Sequence, residues 1–150
     1  MAYQAKRSKK VIEDFELVDE NGKVAERFHV ELDASSMIEK LRKKHLALVK
    51  AYQDLEKVQA GISEPEVLQN AYTILGTATV DMIESVFGAE DTRKILEFYE
   101  ENYVEMSKEV MPFISGVVIP KVEAIAKQNK KELLSKFNRK QRRHIMRGLV

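Results

Sequence analysis

The chain has 150 residues, 44% of them hydrophobic and 33% charged, and no cysteine. That composition fits one domain able to bury roughly two thirds of its unfolded surface, and the missing cysteine excludes disulfides, thiolate metal sites and thiol nucleophiles. The formal charge of +1 conceals a partition: residues 1–10 carry +4, residues 11–120 hold 11 basic and 22 acidic side chains, and residues 121–150 carry +8.

The basic start, Lys6, Arg7, Lys9 and Lys10, leads into Glu13, Asp14 and Glu16 without the apolar run of a secretory signal. No stretch approaches the ~18 apolar residues of a membrane helix, so no membrane association is expected and the cytosol is the default compartment. The organisation expected is a flexible basic leader over 1–10, a single α-rich domain over 11–129, and a basic tail over 130–150, helical or partly disordered.

From Val11 to Leu32 the apolar residues recur with period two. Val11, Phe15 and Leu17 share one parity, Glu20-Asn21-Gly22 supplies turn chemistry, and Phe28, Val30 and Leu32 alternate with charges. A β-hairpin over 11–32 follows, with Asn-Gly accepting the positive φ of a tight turn. A two-stranded ribbon needs cover, either from the helices behind it or from another chain.

The period then becomes helical. Ser36 with Glu39 has capping-box spacing and predicts a helix start; Ile38, Leu41, His45, Leu48, Tyr52 and Leu55 form its stripe, widened by Leu46 and Val49, and Gly61 ends it. A second box, Ser63 with Glu66, and Pro65 in the first turn open a helix carrying Leu68, Ala71, Leu75, Ala78, Met82 and Val86 as far as Gly88, with Ile74 and Ile83 beside the stripe. Asp91 is the expected cap of a third helix bearing Ile95, Leu96, Phe98, Tyr99 and Tyr103. Helical spacing resumes from about Ser107, and Pro112, Gly116 and Pro120 predict a kink, or a break near Pro120. Asn138 is positioned to cap a short helix over Arg139–Arg147. The fold class expected is mainly α: an N-terminal β-hairpin, a compact bundle of four to five helices, and a basic C-terminal segment.

Chemical signatures are absent. Glu26 and His29 sit three apart on a strand and so face opposite ways, which rules against a shared metal. His45 reads as a packing residue, and His144 lies among arginines. There is no nucleophile elbow and no glycine-rich phosphate loop, so a non-catalytic protein without metal or cofactor is expected. The basic tail suits an acidic protein surface better than nucleic acid, since the acidic body repels a polyanion; a nucleic-acid-binding regulator is the alternative. The residues singled out for self-association or partner binding are Phe15, Leu17, Phe28 and Val30 on the hairpin face, read first as core and second as interface, and Arg139, Arg142 and Arg143 in the tail.

The order of these features carries a resemblance. A basic leader, the hairpin from Asp14 to Lys23, the run Phe28-His29-Val30-Glu31-Leu32-Asp33, a long charged helix, a helical remainder and a basic C-terminus together resemble the tail assembly chaperones of siphophages and of prophages in Gram-positive bacteria. The likeness spans nearly the whole chain and lies in layout, not in a short motif. It implies a helical, self-associating protein of the host cytoplasm, absent from the mature virion. Such a protein coats the tape measure protein, keeps it soluble and recruits tail tube protein. It implies no catalytic residues.

Overall fold

The computed structural model describes residues 1–61 and 64–137. In chain order it contains strands β1 (Val11–Val18) and β2 (Val24–Leu32), then helices α1 (Ala34–Ala60), α2 (Pro65–Phe87), α3 (Ala89–Phe98), α4 (Tyr103–Phe113) and α5 (Ile119–Ser135). A π-helical turn, Ile114–Val118, joins the last two. The mainly helical architecture behind an N-terminal hairpin is the one the periodicity predicts.

The hairpin is antiparallel and pairs Val11 with Leu32, Asp14 with His29, Phe15 with Phe28 and Glu16 with Arg27. Its connection is longer than a two-residue Asn-Gly turn, because Asp19 organises it. The Asp19 carboxylate accepts from the backbone N–H groups of Asn21 and Lys23, both at 2.9 Å. The N–H of Gly22, at φ +81°, donates to the Asp19 carbonyl. An acidic side chain folded onto its own turn thus substitutes for the paired positive-φ geometry.

The inward face of the ribbon closes on the helices. Phe87, at the end of α2, sits edge-on to Phe15 at 5.4 Å and Phe28 at 5.9 Å between ring centroids. Phe113, at the end of α4, completes the cluster 4.8 Å from Phe15. Each such ring pair adds about 0.5–1.5 kcal/mol beyond area burial. A Lys121–Glu13 ion pair ties α5 to β1 beside this cluster.

α1 packs along α2 on one side and α5 on the other. Its start departs from expectation: Asp33 is the N-cap, and the Ser36 hydroxyl turns back to donate to the Asp33 carbonyl at 3.2 Å, so no capping box forms. Its stripe is also narrower. Leu41, Leu48 and Leu55 are buried at heptad spacing together with Ala34 and Ala51, whereas Leu46 and Val49 face outward.

α2 starts at Pro65 behind Glu64; Ser63, the hydroxyl of the expected second box, lies outside the described residues. Its buried side runs through Ala71, Leu75, Met82, Ile83 and Val86, leaving Ile74 exposed. Gly88 then holds φ +84° and ψ 167°, a region open essentially to glycine alone, and serves both as the end of α2 and as the N-cap of α3. This displaces the expected cap, Asp91, into the first turn of α3.

α3 ends through Glu100 and Glu101, both at positive φ, with the Glu101 N–H reaching back to the Leu96 carbonyl. Asn102 then caps α4 by accepting from the Glu105 N–H at 3.1 Å. α4 therefore begins at Tyr103, four residues before the expected start, and Tyr103 belongs to α4 instead of α3.

The chain does not break at Pro120. Met106, Val110, Ile114, Val118 and Val122 are all fully buried at a constant spacing of four, which in a pure α-helix drifts by about 40° per step. The π turn offsets part of that drift, and it also accommodates Pro120, which has no N–H to donate. The Ile119 N–H bonds to the Ile114 carbonyl five residues back. α4, the π turn and α5 form one rod antiparallel to α1. Tyr52 meets Ser107 near one end, and Asn129 donates to the Ser35 hydroxyl at 2.9 Å near the other. α5 runs through positions 129 and 130 without interruption, so the first residues of the expected tail are helical.

Candidate interaction surface

Of the hairpin residues singled out from sequence, Leu17, Phe28 and Val30 are 1%, 3% and 1% exposed, and Phe15 is enclosed by Phe87 and Phe113. Their side chains are covered by the chain's own helices, which corrects the interface alternative and leaves the core one. The opposite face of the ribbon is exposed and charged. Arg27 donates to Glu16 at 2.7 Å, and this hydrogen bond, with the carboxylate charge, raises the guanidinium pKa further. His29 lies 3.0 Å from Asp14 and 3.7 Å from Glu31, the residues its side of the strand dictates, while Glu26 points elsewhere. Among the described residues no group of three potential ligands is arranged to hold a metal, and no helix is long and apolar enough to cross a membrane.

Arg139, Arg142 and Arg143 lie outside the described residues. The surface they were expected to complement is visible, however. α2 carries no lysine or arginine along its whole length and exposes Glu66, Asp81 and Glu84. Glu97, Glu100, Glu101 and Glu105 are exposed around the junction of α3 and α4.

Beyond the reach of the third rod, α1 and α2 continue as a pair of helices. The rod's first residues meet the middle of that pair: Tyr103 packs on Gly76 and Ser107 on Tyr52. Past this level the pair holds itself together through Leu55, Ala71 and a Gln59–Tyr72 hydrogen bond of 2.9 Å, with Val67 and Ile74 exposed. Two open grooves run along the outer side of α2. One, about 380 Å³, is bounded by Thr73, Gly76, Thr77, Val80, Asp81 and Tyr103; the next, about 430 Å³, continues past Thr73 to Glu66, Gln69 and Asn70. A β-carbon on Gly76 would stand 2.9 Å from the Tyr103 ring, so only glycine lets α4 enter the bundle here. The isolated glycine inside a helical run was the available signal for this close approach.

No family model matches the chain, and neither a curated protein nor a solved structure matches it. The surface must be interpreted on its own physical terms.

Proposed function

We propose that this protein is a non-catalytic assembly chaperone of the phage-tail type, one that self-associates and coats an extended helical client, the tape measure protein, while helping to recruit tail tube protein. The observation that carries the reading is the incomplete third layer of the bundle. Long helices α1 and α2 leave Leu46, Val67 and Ile74 in solvent at 68%, 47% and 54% exposure, alongside open grooves. Open helical faces of this kind suit a client helix laid lengthwise, anchored by apolar residues at helical spacing. The layout resemblance supplies the client's identity.

Co-expression with a siphophage tape measure protein tests it. The soluble fraction of the client is expected to rise severalfold with the wild-type chain and to fall back with a Leu46→Glu/Ile74→Glu variant, whose exposed positions leave the fold intact. A client that stays insoluble beside the well-folded wild-type protein sinks the reading.

A further inference from the structure

We infer that the groove on α2 is the receptor for the basic segment 138–150 of a second copy, so that copies join head to tail. The inference deepens the self-association proposed above and rests on it, but needs no client.

Charge and chemistry select the occupant. The groove offers Glu66 and Asp81, no basic lining residue among the described residues, the Tyr103 ring and the β-branched Thr73, Thr77 and Val80. Among the described residues, Lys44, on α1, is the cation that reaches this lining, pairing with Asp81 from the side at 3.8 Å. Residues 138–150 bring Arg139, Lys140, Arg142, Arg143 and Arg147 together with Ile145, Met146, Leu149 and Val150. The segment thus has both cations for the acidic rim and apolar side chains for the Tyr103 wall. A second α2 face in the same place would set acid against acid, so a symmetric α2-to-α2 contact is disfavoured.

Reach decides between the chain's own segment and a neighbour's. Tyr103 opens α4 and Ser135 closes α5 at opposite ends of one continuous rod, about 48 Å apart at 1.5 Å per residue. The contacts of that rod with Ser35 and Tyr52 of α1 show that it lies along the bundle and does not double back. Arg143 is eight residues beyond Ser135, and a fully extended chain of that length spans at most about 29 Å. Arg139, Lys140, Arg142 and Arg143 therefore fall short of the Tyr103 wall, and of Glu66 beyond it, in their own chain, so cations placed there come from a neighbour. A contact between unlike surfaces of identical chains leaves a free groove at one end and a free tail at the other, and so propagates into a ring or filament.

Two full-length variants test this without any client. One is Arg142→Glu/Arg143→Glu; the other is Thr73→Lys/Thr77→Lys, both threonines being exposed on a helix. Circular dichroism and thermal melting confirm that each is folded. Sedimentation velocity on nuclease-treated samples should show concentration-dependent, salt-sensitive oligomers for the wild type and monomers for each variant alone. An equimolar mixture should stop at a heterodimer, because one intact groove meets one intact tail and nothing can be added. Wild-type-like assembly by either variant alone, failure of the mixture to pair, or loss of wild-type assembly on nuclease treatment overturns the contact. None of these outcomes bears on client solubility, so the two readings fail separately.

Discussion

The two ends of the molecule are built to different standards. At the hairpin end, two strands and the termini of α2 and α4 meet in a cluster of four phenylalanines, with Val11, Leu17 and Val30 at most 2% exposed beside it. At the far end, among the described residues, α1 and α2 pack on each other, and their innermost residues, Leu55 and Ala71, retain 7% and 8% exposure. The first end holds the fold; the second leaves surface free. The proposed client binding needs both properties, a fold that persists and apolar helix faces left free, and here they are separated along one axis.

That contrast can be broken most directly at Phe87, which touches Phe15, Phe28 and Phe113. Phe87→Ala removes a member of three of the four ring pairs in the cluster and is expected to cost about 3–5 kcal/mol in a denaturant titration. Leu55→Ala at the far end is expected to cost about 2 kcal/mol, the lower part of the range for such a change, because a site open on one side can collapse into the space. Equal costs at the two sites would erase the distinction. Hydrogen exchange sharpens it independently: backbone amides of 56–60 and 69–72 should exchange faster than those of 79–86 in the same α1–α2 pair, since local opening follows sparse packing.

Between the two ends, the junction of α3 and α4 fixes where Tyr103 enters the bundle. Asn102 caps α4 by accepting from the Glu105 N–H, and its side-chain amide donates to the Glu105 carboxylate at 3.4 Å, while its own backbone N–H goes to the Tyr99 carbonyl. Asn102→Ala should lower stability by about 1 kcal/mol. A larger loss would show that the cap also secures the Tyr103–Gly76 contact.

What sequence made legible follows local pattern. The hairpin parity, the heptad leucines of α1 and the helix ends at Gly61 and Gly88 were readable because each depends on residues a few positions apart. What it hid depends on tertiary neighbours. Ser36 with Glu39 has capping-box spacing, yet Asp33 directly follows the strand and starts the helix earlier. Leu46 and Val49 are apolar and helical in phase, but the third rod covers a narrower arc of α1 than that phase allows, so they remain outside. Pro112, Gly116 and Pro120 announced a kink or a break; the chain takes neither a stop nor a new cap but a π turn within a continuous run, and nothing local distinguishes these outcomes. The candidate site divides likewise. Acidic body and basic ends were plain from the count of charges; that the cation-free α2 borders open grooves required the fold.

The smallest expected effect is a pH dependence at Tyr99, at the close of α3. Burial raises its hydroxyl pKa above the ordinary value of 10.0, and the negative charges of Glu109 and Glu105 push the same way. Below that value the phenol is neutral in both folded and unfolded chains and contributes no pH dependence. As pH climbs past about 10 the unfolded chain loses its proton first, so it binds fewer protons than the folded one and stability falls with pH. Tyr99→Phe removes this component. The variant should match wild type within about 0.5 kcal/mol at neutral pH and show a shallower loss of stability on the alkaline side. The side chain is only partly buried, so solvent screening keeps the difference small. Identical alkaline slopes for the two proteins would mean that the α3–α4 junction opens before Tyr99 ionises, placing this junction with the loosely held far end and not with the hairpin end.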